Sequence, residues 1–174
     1  PQVIHANDWQ TGLIPALVQI EERPHGPLAE TACTFTVHNM AFHGSFWHFD
    51  VPLSGLDWKY FNFREMEFHG KLNLLKTGLV FADKITTVSP TYAEEIQTPE
   101  FGCGLHEVLT ERRHDLVGIL NGIDPEEWNP ATDRALSSRY SAETWRTPTG
   151  KPACKAALQR EVHLPERADA LLLG

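Results

Sequence analysis

What most limits the folds open to this chain is a recurring pair: a short β-branched apolar run that stops on polar residues, then a stretch with helical spacing. Val3-Ile4-His5-Ala6 stops on Asn7-Asp8-Trp9, and Cys33-Thr34-Phe35-Thr36-Val37 stops on His38-Asn39. Lys84-Ile85-Thr86-Thr87-Val88 leads into Ser89-Pro90, and Val117-Gly118-Ile119-Leu120 stops on Asn121-Gly122-Ile123-Asp124. Between the first two runs, Leu13, Ala16, Leu17 and Ile20 share one helical face, with Pro15 in the first turns, where it is best tolerated. Asp8 stands where it would cap that helix. Residues 23–30, with two prolines and a glycine, form the loop back to the next strand. Repetition of this unit predicts an α/β fold with a doubly wound parallel sheet and right-handed crossovers. Ligands of such sheets lie in the crevice beyond the carboxyl ends of the strands. Asp8, His38, Asn39 and Asn121 are therefore read as one site assembled from three strand ends.

The remaining segments follow the same logic. Residues 71–82 suit a mostly buried helix through Leu72, Leu75, Leu79 and Val80, with Gly78 allowing close packing. Ser89 and Pro90 have the cap and first-position chemistry of a helix over 91–97. A glycine-rich loop at 101–104, a short helix at 105–112 and a strand at 116–120 complete this part. Residues 42–68 hold Phe46, Trp47, Trp58, Tyr60, Phe61 and Phe63 among glycines and a proline, and read as an ordered insertion over a cleft. From 124 to 150 the chain turns rich in Pro, Asp, Ser and Thr, which marks a domain junction. The expected division is 1–123 and 124–174, the latter with a helix at 151–161, a loop at 162–168 and a strand at 169–173 that starts a second domain. The chain opens on Pro1-Gln2 directly before a strand and closes on an apolar run, so a piece of a longer enzyme is expected.

Composition narrows the function. At 174 residues the chain can bury one good core and little more. A formal net charge of −8 and no dense Lys/Arg run argue against a binder that tracks nucleic-acid phosphates. No apolar run approaches the ~20 residues of a membrane span. Cys33, Cys103 and Cys154 show no Cys-x-x-Cys spacing, so neither a disulfide framework nor a thiolate zinc site is indicated, and a reducing, cytoplasmic setting is expected. His38, His43 and His48 recur every five residues, a spacing that puts them on no common face of a helix or strand, so no metal site is expected. No Gly-x-Ser-x-Gly elbow surrounds Ser89, which reads as a cap and not a nucleophile.

Several ordered blocks resemble the bacterial glycogen and plant starch synthases, retaining glucosyltransferases of the two-Rossmann-domain (GT-B) type. They are His5-Ala6-Asn7-Asp8-Trp9, Thr36-Val37-His38-Asn39-Met40-Ala41-Phe42-His43-Gly44, Phe61-Asn62 with Glu67-Phe68, Leu75-Lys76-Thr77-Gly78-Leu79, Ala82-Asp83-Lys84-Ile85-Thr86-Thr87-Val88-Ser89-Pro90-Thr91-Tyr92, Leu120-Asn121-Gly122-Ile123-Asp124, Trp128-Asn129-Pro130-Ala131-Thr132-Asp133 and Ser138-Arg139-Tyr140-Ser141. The match continues in order through 151–164.

The resemblance implies transfer of glucose from ADP-glucose, with UDP-glucose the lesser candidate, to the non-reducing end of an α-1,4-glucan with retention. It implies no metal or organic cofactor, and a cytoplasmic or, in a plant, plastid location. On this reading 1–123 is the later part of the acceptor-side Rossmann-like domain, and 124–174 is the linker and beginning of the nucleotide-binding domain. His38 matches the residue lying against the donor glucose and an oxocarbenium-like transition state, and Asn39 follows it in the same turn. Asp8 matches an acidic residue near the sugar hydroxyls, Trp9 an acceptor-side aromatic, and Asn121 an amide that bonds the donor sugar. Trp47 and Trp58 suit the C–H face of a glucose ring.

The family's Lys-x-Gly-Gly loop, its phosphate-binding Arg and Lys, and its late Glu-containing segment are not in this sequence. The chain alone is therefore expected to lack glucosyl transfer, and glucan elongation from ADP-glucose by the purified chain would refute that. Two alternatives remain open: another GT-B nucleotide-sugar transferase, such as a sucrose synthase, or a non-catalytic glucan-binding domain built on 42–68.

Overall fold

A computed structural model describes residues 1–173, which form two compact units, Pro1–Asn121 and a second from Gly122 onward. The first is built on a four-stranded, wholly parallel sheet of β1 (Val3–Asn7), β2 (Ala32–Val37), β6 (Lys84–Thr87) and β7 (Leu116–Gly118), in the order β1-β2-β6-β7. The expected α/β architecture with a parallel sheet is the one observed. Register runs Asn7 against Thr36, Val37 against Thr87, and Thr87 against Gly118, which brings the strands to one rim.

Each crossover carries helix. α1 (Leu13–Leu17) widens into a π-helical turn at Val18–Glu22 and closes with α2 (Arg23–His25), so helix occupies the start of what the sequence suggested was a loop. α3 (Leu74–Phe81) joins β2 to β6, and α4 (Pro90–Glu95) and α5 (His106–Glu111) join β6 to β7. α1 packs on α3 and α3 on α5. Ser89 caps α4 as its chemistry predicts, its hydroxyl accepting the Tyr92 N–H at 2.9 Å with Pro90 in the first turn.

The main core lies between this helix layer and the sheet and contains Phe35, Val37, Leu75, Leu79, Ile85, Ile96, Leu105 and Leu109, all buried. Gly78 sits where the Phe35 ring crosses α3, and a methyl group there would overlap the ring. A second cluster of Ala16, Val51, Leu56, Met66, Leu72 and Phe81 joins residues 42–68 to α1 and α3.

Four expectations change. Residues 71–73 are not helix: Lys71–Asn73 is strand β5, which pairs antiparallel with β3 (Ser45–Trp47) and β4 (Glu67–Phe68). Ladder bonds to two neighbours outweigh helical periodicity there, and Asn73 becomes the cap of α3. The aromatic insertion thus contributes two strands, β3 and β4, to a three-stranded sheet completed by β5, with 3₁₀ turns at His48–Ser54 and Trp58–Tyr60. Asp8 caps no helix, because its side chain is engaged elsewhere. Residues 169–173 form no strand, having no neighbouring strand to share a ladder; the Lys155 ammonium instead bonds the carbonyls of Ala168 and Ala170. The second unit otherwise consists of turns and α6 (Lys151–Glu161), the helix expected from the sequence.

Candidate active site at the carboxyl rim

β1 and β2 are neighbours, so their polar terminal residues meet. Asp8 follows β1 with φ 55° and ψ 178°, a conformation L-residues seldom adopt. It is held from both sides: its N–H donates to the Thr36 carbonyl at 2.9 Å, and its Oδ1 accepts the His38 N–H at 2.8 Å. Strain of this sort costs about 1–3 kcal/mol and persists where the surroundings over-determine it. The His38 ring meets the Asn7 side-chain amide through Nε2 at 3.1 Å. His38 and Asn39 are both exposed.

Residues around them fix the turn. Asn39 Oδ1 accepts the Ala41 N–H at 2.9 Å, closing an Asx turn. Met40 is buried, and its N–H donates to the Tyr92 hydroxyl at 3.1 Å. Behind the rim, Thr36 Oγ1 bonds His5 Nε2 and Thr86 Oγ1, both at 2.5 Å, tying three strands together.

Trp9 is half-buried, tilted on Phe46 with centroids 5.9 Å apart and lodged against Gly44. Gly44 has φ 59°, and a side chain there would overlap the Trp9 ring, so glycine is needed on both counts. Asn121 is not brought to this group: it is exposed beyond β7, which β6 separates from β2. Of the expected site residues, Asp8, Trp9, His38 and Asn39 cluster and Asn121 stands apart. Trp47 and Trp58 are 63% and 45% exposed, each in edge contact with Phe49.

Sequence reasoning passed over Asn7, Tyr92 and Asn73. Asn7 and Tyr92 lay inside quoted motifs; Asn73 carried no signal, because its meaning depends on a helix boundary. His43 turns into the interior toward Asn73, and His48 packs on Phe49 and Phe61. No three His, Cys, Asp or Glu side chains converge as a metal site among the described residues, and no helix among them is long and apolar enough to cross a membrane.

Electrostatics around the core is set by burial and pairing. Burial pushes the Cys33 thiol up to about 11. Asp83 is raised by desolvation, but hydrogen bonds from Arg23 and the Cys33 N–H outweigh this and hold it below the usual carboxylate value. Burial lowers His43, reinforced by His69 and opposed by the Met40 main chain. All three cysteines are free thiols.

Comparison with known proteins fits this geometry into a family. The model of the starch synthase catalytic domain matches residues 1–111. A glycogen synthase from Anaeromyxobacter sp. (strain Fw109-5) is 56% identical over 174 residues, covering 100% of this chain and 36% of the relative. Another from Francisella tularensis subsp. novicida (strain U112) is 46% identical over 177 residues, covering 100% and 35%. Among solved structures, the catalytic domain of starch synthase IV from Arabidopsis thaliana, bound to ADP and acarbose, superposes with a TM-score of 0.79 at 35% identity, covering 95% of this chain and 34% of that one. The chain thus spans about a third of the length of the relatives it matches. With its first 111 residues matched by the family model, and strand ends of the required kind at the rim, the chain belongs to the starch synthase catalytic domain family.

Proposed function

We propose that the protein to which this chain contributes transfers glucose from ADP-glucose to the non-reducing end of an α-1,4-glucan, with retention, in glycogen or starch synthesis. The observation that carries the reading is the Asn7–Asp8–His38 constellation at the β1–β2 rim, in a chain 56% identical to a glycogen synthase. The adenine donor is favoured by ADP in the similar starch synthase IV structure.

In this reading Asp8 and Asn7 act first on His38. The Asp8 carboxylate fixes the His38 peptide unit, and Asn7 fixes the ring, so the groups facing the sugar are oriented before substrate arrives. Such preorganisation is how fixed dipoles stabilise charge developing at an anomeric carbon. Asn39, Trp9 and Asn121 bind sugar hydroxyls or ring faces, and donor phosphates are held by residues outside this sequence. The chain alone therefore lacks transfer activity. Three free thiols favour a reducing, cytoplasmic setting.

The test is His38→Ala in the full-length protein, assayed for glucan elongation and for glucan affinity. Elongation should fall by about a hundredfold or more while affinity changes less than about threefold. Equal losses in both would remove His38 from the chemistry. A second reading, glucan binding without catalysis, is favoured by the exposed Trp47–Phe49–Trp58 edge-to-face chain. It predicts that Trp47→Ala abolishes glucan binding while His38→Ala and Asp8→Ala leave glucan binding unchanged.

A further inference from the structure

Asn73 is 0% exposed, and every polar group it owns is engaged. Its N–H donates to the Met66 carbonyl at 2.9 Å, and its own carbonyl accepts from the Thr77 hydroxyl at 2.7 Å. Oδ1 accepts the Lys76 N–H at 2.8 Å, capping α3, while Nδ2 points to His43 Nδ1 at 3.0 Å and Ser45 Oγ at 3.3 Å. The next two N–H groups of α3 are also taken by the loop that carries His43: Leu74 donates to the Gly44 carbonyl at 3.1 Å and Leu75 to the His43 carbonyl at 3.0 Å. Opening N–H groups of a helix have no partner inside it. Here the loop descending from His38 and Asn39 supplies partners for two of them.

This geometry also fixes a proton. A main-chain N–H can only donate, so the oxygen of the Asn73 amide must face Lys76 and its nitrogen must face His43. An amide nitrogen can only donate, so His43 Nδ1 must accept, and the His43 proton resides on Nε2. Burial among Phe68, Asn73 and the Met40 main chain keeps that ring neutral, with His69 as the nearby titratable group.

We infer that Asn73 is a positioning residue for the site: through His43 it anchors the far end of the turn that presents His38 and Asn39, whose near end is held by Asp8. The loop has three ties, Asp8 to the His38 N–H, Tyr92 to the Met40 N–H, and Asn73 with α3 to His43 and Gly44. Only the last can be inverted by a substitution that keeps shape. Asn73→Asp retains the oxygen that caps α3 but turns the donor facing His43 into an acceptor. Nδ1 must then take a proton or the contact breaks. A displacement of about 1 Å in a catalytic loop can cost on the order of a hundredfold in rate. The inference rests on the glucosyl-transfer reading for its kinetic arm and is independent of it for its spectroscopic arm.

The experiment uses the full-length protein. In the wild type, ¹⁵N NMR should show His43 as the neutral Nε2–H form at pH 7; an Nδ1–H form would overturn the inference without any variant being needed. Asn73→Asp should protonate Nδ1, raise the His43 pKa and lower kcat about tenfold or more, with the donor KM changed less than about threefold. Adding His43→Asn to that variant places a reorientable amide opposite the carboxylate, and kcat should recover. An Asn73→Asp protein with protonated Nδ1 and unchanged kcat, or a double variant that recovers nothing, would overturn the positioning role. If the wild type transfers no glucose at all, the proposed function fails while the tautomer result still stands or falls by itself.

Discussion

At the scale of the residue, Asp8 shows how one side chain joins stability to chemistry. Its φ of 55° is tolerated because the main-chain N–H bonds Thr36 of β2 and the carboxylate bonds His38 just beyond that strand. Asp and Asn enter positive φ more readily than other non-glycine residues. Asp8→Ala removes the acceptor and keeps the strained backbone, so it should destabilise the protein by about 1–3 kcal/mol. Asp8→Asn keeps an acceptor and the backbone tolerance and should lose less than about 1 kcal/mol. Urea denaturation of both variants checks this; equal losses would show that the hydrogen bond to His38 contributes little. That Asp8 is polar and stands at a strand end was legible in the sequence. That it reaches across to His38 instead of capping the next helix was not, since the partner lies thirty residues away.

At the scale of the element, α3 is the piece on which both cores depend. Its one face carries Leu75 and Leu79 into the main core, while Phe81, with Leu74 and Val80 beside it, packs in the second cluster. Gly78 lets Phe35 cross it closely, so Gly78→Ala should destabilise by about 1–3 kcal/mol through overpacking despite alanine's better helix propensity. Thermal unfolding would measure the loss, and Phe35→Leu added to Gly78→Ala should cost less than the two changes summed, because the shorter side chain vacates the overlap. A Gly78→Ala protein as stable as the wild type would mean that the ring moves aside freely. The sequence marked Gly78 as a close-packing point from its place in an apolar helix. Its periodicity set the helix start three residues early, because Leu72 continues the helical period by chance while pairing in β5.

At the scale of the whole molecule, stability should depend on acid through groups of the first unit that include Asp83 and His43. Asp83, held below the usual carboxylate value by Arg23 and the Cys33 N–H against desolvation, is a depressed acid. Its contribution is present above the unfolded pKa of about 3.9 and is lost as pH falls through the lower folded value. His43, depressed by burial, acts in the same direction in a higher window: its contribution is present above about 6.5 and is lost as pH falls below that toward its folded value. The urea midpoint should therefore decline in two stages as pH is lowered. His43→Asn should abolish the decline just below pH 6.5, and Asp83→Asn should lessen the decline below about pH 4, to which Asp115, lowered by Lys84 and Arg112, also contributes. A midpoint that stays flat between pH 7 and 5 in the wild type would contradict the buried neutral state of His43.

The sequence by itself determined the alternation of strand and helix, the parallel sheet, the cap at Ser89, and the strand ends that carry Asp8, His38 and Asn39. Those features depend on local periodicity and on chemistry within a few neighbouring residues. Tertiary structure alone decided strand order, and with it that Asn7, Asp8 and His38 meet while Asn121 lies two strands away. It also decided that Asn73 ends a strand, caps a helix and sets the His43 proton, since each role needs a partner from a distant segment. Hydrogen-bond donors and acceptors are written in the sequence, but their pairing across the fold is fixed only when packing brings them within reach.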